Sequence, residues 1–325
     1  MAEIAVCLPT RNRPDRVARC LRALAGQTVD NARFRVIVGV DAPDAAAHVP
    51  DDAVPDGLAP EVVPGPSAGP AATRNRILRL VDEPVVLWLN DDVVPDSHLI
   101  EHHLAAHASG ERAMVLGSAP WVVREPDRLF DRLIRETSMV FFYDQMDDDP
   151  ARDWGYRHAW TLNLSVPAEL ATLGFCERLP GAAYEDLEWA WRAARSSGAP
   201  VRYRPAARVE HDHRYEPEGY LARERAMGRD AFALAAHAPE FARELFRRDV
   251  RSAESLAYAR AFVEREAPLA ERLERSFRTL ADLPAGAVDD DRVIAMLYEH
   301  HLALKRWHWN AGLVEAADGA GVQAA

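Results

Sequence analysis

The chain has 325 residues, of which 48% are hydrophobic, 28% charged and 8% aromatic. That mixture supplies the apolar material for one large domain or two ordinary ones and excludes a wholly disordered or collagen-like chain. Lysine and arginine number 39 against 51 aspartate and glutamate, a formal net charge of −12, which disfavours nonspecific duplex nucleic-acid binding, because such binding needs cations to neutralise phosphates.

The first apolar run, residues 4–9, is too short for a signal peptide's core and reads as a strand. Pro14 and Asp15 then suit a helix's first turn, and Val17, Leu21 and Leu24 recur at helical spacing before a second apolar run at 35–40. This is a β-α-β unit. Further runs at 61–63 and 85–90 flank a segment in which Pro70 can start a helix and Ile77, Leu78 and Val81 supply its apolar face. Strands rich in Val, Ile and Leu that alternate with helices predict a mostly parallel sheet covered on both faces. From 127 to 205 the pattern is mixed, with aromatic clusters, and Asp147-Asp148-Asp149-Pro150 reads as a solvated loop. Residues 220–237, 240–248, 252–280 and 290–308 carry apolar side chains three and four apart and predict a helical tail, with the last dozen residues frayed. No stretch reaches the length of a membrane span. Cys7, Cys20 and Cys176 are odd in number and lack CxxC spacing, which argues against a disulfide framework or zinc knuckle and for the cytoplasm.

Parallel sheets bind ligands beyond the carboxyl ends of their strands. There the sequence turns polar: Thr10-Arg11-Asn12-Arg13 after the first strand, Asp41 after the second, Asn90-Asp91-Asp92 after the fourth. Neither GxGxxG nor GxxxxGK[ST] occurs, which weakens dinucleotide oxidoreductase and phosphate-loop ATPase readings. An acidic pair at the end of a buried strand calls for a compensating cation, and oxygen ligands suit Mg2+ or Mn2+; an Asx turn capping the next helix is the alternative. Glu185 and Asp186 open a helical segment, where they can favour its dipole or serve as a general base. His211 and His213, two apart on a strand, would face one side and could add a nitrogen ligand, or simply finish a hydrogen-bonded strand. His98, His102, His103 and His107 form no HExxH and read as a solvated or packed helix.

Taken in this order, the segments resemble the family 2 glycosyltransferases of the GT-A fold. Pro9-Thr10-Arg11-Asn12-Arg13 resembles the family's opening nucleotide-contacting loop, Asp41 the acid that ends its second strand and reads the base, and Gly69-Pro70-Ala-Ala-Thr-Arg74-Asn75 the segment near the diphosphate. Asn90-Asp91-Asp92 stands where the family carries its DXD metal motif, Asn163-Leu-Ser165-Val166 resembles the strand before the acceptor region, and Tyr184-Glu185-Asp186 its ED motif. His211 and His213 fall where a further metal ligand is found. With Asn90 in the first DXD position, the carried-over metal ligand is Asp92, with Asp91 nearer the ribose. No QxxRW motif follows, which argues against the processive branch.

The resemblance implies a Rossmann-like GT-A domain at 1–215, binding nucleotide sugar and carrying catalysis, and a helical subdomain at 216–325 for acceptor binding or homo-oligomerisation. It also implies transfer of a sugar from a nucleoside-diphosphate donor, UDP-linked, to an acceptor hydroxyl, with inversion. Arg11, Arg13, Asp41, Arg74, Asn90 and Asp91 would place the nucleotide, Asp92 with His211 or His213 would hold Mn2+ or Mg2+, and Asp186, beside Glu185, would be the base. A retaining transferase, a sugar nucleotidyltransferase and a non-catalytic scaffold are the competing expectations.

Overall fold

A computed structural model describes residues 2–179, 181–288 and 290–321. The chain divides into two compact units, Met1–Val122 with Met146–His213, and Val123–Gln145 with Arg214–Ala325.

The first unit is built on one sheet. Its elements begin β1 (Ile4–Thr10), α1 (Pro14–Ala25), β2 (Phe34–Val40), β3 (Glu61–Pro64), α2 (Pro70–Leu78), β4 (Val85–Leu89), β5 (Val93–Pro95), α3 (Leu99–His107) and β6 (Met114–Ser118). After α4 (Leu129–Glu136), which belongs to the second unit, come β7 (Asn163–Pro167), α5 (Ala168–Ala171), α6 (Glu185–Ser197) and β8 (Val201–His211). The strand order is β3-β2-β1-β4-β7-β6-β8-β5. Pairing is parallel for β1 with β2 and β4, β2 with β3, and β6 with β8. It is antiparallel where β7 inserts between β4 and β6 and where β5 meets β8. The sheet is therefore mixed beyond β4, where apolar runs buried on both faces give no sign of strand direction.

Local chemistry explains the elements. Val17, Leu21 and Leu24 of α1 are fully buried, and Pro14 occupies its first turn, where no amide hydrogen is needed. Gly69, at φ 92°, takes the left-handed turn that starts α2. α2 stops at Leu78, so Val81 lies beyond its face. Trp88 of β4 meets the Phe175 ring edge-on at 5.4 Å, and Phe175 stacks on Trp189 of α6 at 5.4 Å. This aromatic run ties α6 to the sheet and fixes its first residues, Glu185 and Asp186.

The second unit comprises α4 with α7 (Pro217–His237), α8 (Pro239–Phe246), α9 (Ala253–Ala281) and α10 (Asp291–Gly319). Residues 123–145 group with it because Phe130 of α4 packs against Tyr220 and Phe277, centroids 6.1 and 5.9 Å apart. Ser252 and Asp290 cap α9 and α10 through side-chain oxygens. α7 and α10 approach closely: a Cβ on Gly228 would lie 1.9 Å from the Trp309 carbonyl oxygen, and one on Gly312 1.8 Å from that of Arg225. α10 continues to Gly319 because Leu313 and Ala317 are buried, so the expected fraying does not reach that far; residues 322–325 lie outside the described ones. Among the described residues no helix is long and apolar enough to cross a membrane.

Candidate active site

From β1 the chain runs to β2 and β3 on one side, then crosses back to β4 on the other. The carboxyl ends of β1 and β4 thus flank a topological switch point, where open α/β sheets leave a crevice. A cleft of about 360 Å³ opens there, lined by Pro9, Thr10, Arg11, Arg13, Asp41, Arg74, Asn90 and Asp91. These are the eight residues that the sequence assigns to the nucleotide sugar. Gly69, Pro70, Thr73 and Ala182 complete the wall.

Within it Thr10 Oγ1 donates to Asp91 Oδ2 at 2.7 Å, joining the two strand ends. Asp41 accepts from the amides of Ala68 (2.8 Å) and Gly69 (3.2 Å), with Arg11 Nη1 3.6 Å away. Its carboxylate therefore holds the loop before α2 in place, a role the strand-end position alone did not signal.

Asp92 lies beside the cleft. β5 starts directly after it and pairs with the end of β8, Val93 opposite His211, and the Asp212 amide donates to the Asp92 carbonyl at 2.7 Å. This backbone pairing sets His211 Nε2 3.6 Å from Asp92 Oδ1 and His213 Nδ1 3.5 Å from Asp92 Oδ2. Both rings face the same side, centroids 6.0 Å apart and planes 22° apart. Trp121, which the sequence did not single out, packs against His211 with ring centroids 4.0 Å apart and planes tilted by 31°.

The electrostatics differ along the acidic pair. Burial raises the Asp91 carboxyl above its ordinary value, opposed by Arg13 and reinforced by Asp92. Burial also pushes Asp92 upward, but His211, Arg13 and His213 outweigh it and hold the carboxyl well below the usual range. Burial lowers His213 to about 4, so its ring is neutral at pH 7 and able to donate a lone pair.

Asp92 Oδ1 is buried, and its nearest donor is His211 Nε2 at 3.6 Å, too long for a full hydrogen bond. A buried carboxylate oxygen flanked by imidazole nitrogens is a donor set suited to Mn2+ or Mg2+. Among the described residues no group of three His, Cys, Asp or Glu side chains is placed to hold a metal ion by itself, so an ion here would need further oxygen ligands from a substrate.

Arg74 carries the cleft inward to α6. Its Nη1 donates to Glu185 Oε1 and its Nη2 to Thr161 Oγ1, both at 2.8 Å, and the Arg74 and Glu185 side chains are 6% and 3% exposed. Glu185 is thereby committed to holding Arg74. Asp186 accepts from the Leu187 amide at 2.8 Å. Burial first, then the Glu185 charge, raise the Asp186 carboxyl, with Arg74 opposing; such a carboxyl is poised to take a proton near neutral pH.

The competing histidines have a structural role. His103 is fully buried, bonding to Ser165 Oγ (2.7 Å) and Asn163 Oδ1 (2.9 Å), while His107 Nε2 meets the same Ser165 Oγ at 2.8 Å. His98 is exposed beside Glu101. Asp147, Asp148 and Asp149 are exposed, as a solvated loop should be.

Comparison with known proteins bears on the family and the fold. Residues 5–161 match the model of glycosyl transferase family 2. Over 252 residues the chain is 30% identical to the pre-mycofactocin glycosyltransferase of Mycobacterium tuberculosis, found alike in two strains, with 73% of this chain and 48% of that protein aligned. The chain thus spans about half the length of the curated relatives it matches. A mannosyltransferase, PcManGT from Pyrobaculum calidifontis, solved in complex with GDP-Man and Mn2+, shares the fold at a TM-score of 0.60 and 17% identity, covering 99% of this chain and 88% of that one. TarS 1-349 of S. aureus in complex with UDP superposes at 0.52 and 15% identity, covering 99% and 92%. The mixed sheet, its flanking helices and the sequence match together show that this chain carries a glycosyl transferase family 2 domain with the GT-A fold.

Proposed function

We propose that the protein transfers a glycosyl group from a nucleoside-diphosphate sugar, UDP-linked, to an acceptor hydroxyl with inversion, in a reaction dependent on Mn2+ or Mg2+. The observation that carries this reading is the convergence of eight cleft residues, remote in sequence, beside Asp92, His211 and His213. The solved neighbours support it, one in complex with UDP and the other with GDP-Man and Mn2+.

Arg11, Arg13 and Arg74 supply positive charge in the cleft, and Asp91 and Asp41 orient its rim. Asp92, with His211 or His213, would hold the divalent ion, which when bound neutralises charge on the diphosphate leaving group. Glu185 keeps Arg74 extended. Asp186 accepts the acceptor's proton as its oxygen attacks the anomeric carbon from the face opposite the leaving diphosphate, which inverts that centre. We assign the helical segment 216–325 to acceptor binding or self-association, two roles that light scattering and acceptor titration separate.

The test is a thermal-shift screen of nucleotide sugars with Mn2+ and with chelator, because a ligand that binds only the folded state raises apparent stability by mass action. The expected result is a metal-dependent shift with a UDP-sugar that Asp92→Ala removes. Equal shifts in metal and chelator would refute metal dependence. Pyrophosphate release from UTP and a sugar phosphate would assign the site to a nucleotidyltransferase instead.

A further inference from the structure

Arg13, the residue just before α1, and Arg16, on its first turn, face the acidic pair. Arg13 Nη1 lies 2.9 Å from both Asp91 Oδ1 and Asp92 Oδ2. Arg16 Nη1 lies 3.6 Å from Asp92 Oδ2 and 3.1 Å from His213 Nδ1. One guanidinium therefore sits on the second oxygen of the carboxylate that the proposed ion would use, and the other on an imidazole nitrogen beside it, so both place positive charge where the ion would go. Arg13 also lines the cleft and keeps a partly exposed side chain, 41% accessible, so it has somewhere to go.

The geometry points to Arg13, assisted by Arg16, as an internal counter-ion that the divalent cation displaces only when a nucleoside diphosphate enters with it. This rests on the donor-site reading above and adds an order of binding to it. The charge count explains why. Asp91 and Asp92 against Arg13 and Arg16 sum to zero, so a lone divalent ion would bring two uncompensated positive charges into a partly buried site. A nucleoside-diphosphate sugar carries two negative charges on its phosphates and cancels them. Once released, the Arg13 guanidinium can turn to those phosphates, where a planar fork of donors is best used. Metal and nucleotide then bind cooperatively, and because binding couplings are reciprocal, each strengthens the other by the same factor.

The test titrates the full chain with Mn2+ alone, reading free Mn2+ by its electron paramagnetic resonance signal, and repeats it in saturating UDP and then GDP. Wild type is expected to take up Mn2+ weakly alone and at least about a hundredfold more tightly with the nucleotide, within the usual span of binding couplings. Arg13→Gln is expected to tighten Mn2+ binding alone by about tenfold, the worth of one charge-assisted contact, and to shrink the coupling. Arg13→Lys keeps the charge and should stay close to wild type. Arg16→Gln should move the same way by a smaller step, and it carries the test if Arg13→Gln does not fold. Normal uptake with UDP or GDP but unchanged metal-alone affinity in Arg13→Gln and Arg16→Gln would overturn the counter-ion role and leave the donor site standing. No Mn2+ uptake by wild type with either nucleotide would overturn both.

Discussion

Two clusters of buried polar side chains sit in the sheet unit and differ in kind. Around His103, every polar atom is neutral and matched: its two ring nitrogens meet Ser165 and Asn163, and the Asn163 amide donates to the carbonyls of Ser118 and Ala207. Around Asp91 and Asp92 the groups are charged, an oxygen is left over, and the wall opens into a cleft. A closed, satisfied network holds β6, β7, β8 and α3 in register. An open, charged one with spare ligating capacity is arranged for something that arrives. Burial of polar residues alone does not separate the two; ionised side chains, an acceptor oxygen with no close donor and access to solvent do.

The contrast can be broken most severely at Asp186. Asp186→Asn should reduce turnover by about a hundred- to ten-thousandfold, as loss of a general base does, while leaving donor affinity near wild type; near-normal turnover in a single-turnover assay would remove Asp186 from that role. Arg74→Met comes next, because it strands the Glu185 carboxylate: about 3–5 kcal/mol of stability is expected to go, read by urea unfolding. In the closed network, His103→Leu should cost about 1–3 kcal/mol by orphaning Asn163 Oδ1 while Ser165 Oγ keeps His107, yet nucleotide affinity should survive in the folded fraction. A stable His103→Leu protein that no longer binds nucleotide would erase the distinction. In the helical unit, Gly312→Ala should cost about 1–3 kcal/mol through overpacking against Arg225, with donor binding again intact.

The smallest effects are in pH, and their signs are opposite. Burial lowers His103 to about 3, so its contribution is complete above the unfolded value of about 6.5 and drains away as pH falls toward 3. His103→Leu should therefore flatten stability against pH in that window. The Asp186 carboxyl is raised, so keeping it ionised costs stability above its folded value. Asp186→Asn should melt higher than wild type at pH 8, with the gain shrinking on acidification and gone below the unfolded value of about 3.9.

Much of the cleft was legible because strand ends in a parallel sheet are short in sequence and polar where ligands bind. Thr10 to Arg13, Asp41 and Asn90 to Asp92 could be read directly from the ends of apolar runs. The helical tail was equally plain, its last two predicted segments starting at 252 and 290, the residues that cap α9 and α10. The rest depends on long-range pairing. Nothing local announces that β7 runs against β4, that residues 123–145 join the helices, or that Trp121 reaches His211. Arg16 was harder still, since it looks like an ordinary helix charge until its partner is known. Asn163 and Ser165 matched a family segment, but their contact with His103 needs the fold.

The three-residue pairing of β5 with the tail of β8 has one more implication, for how such a protein can change over generations. His211 faces Val93, the residue after the acid, and His213 follows two residues on, so the spacing of acid and imidazoles is metered by peptide hydrogen bonds as well as by side chains. Point substitutions nearby are absorbed, but inserting or deleting a single residue between Val209 and His211 would swing both rings to the sheet's opposite side. Sequence drift in this corner is thus confined to exchanges that conserve spacing, and chain-length variation must fall elsewhere, such as the exposed acidic loop at 147–150.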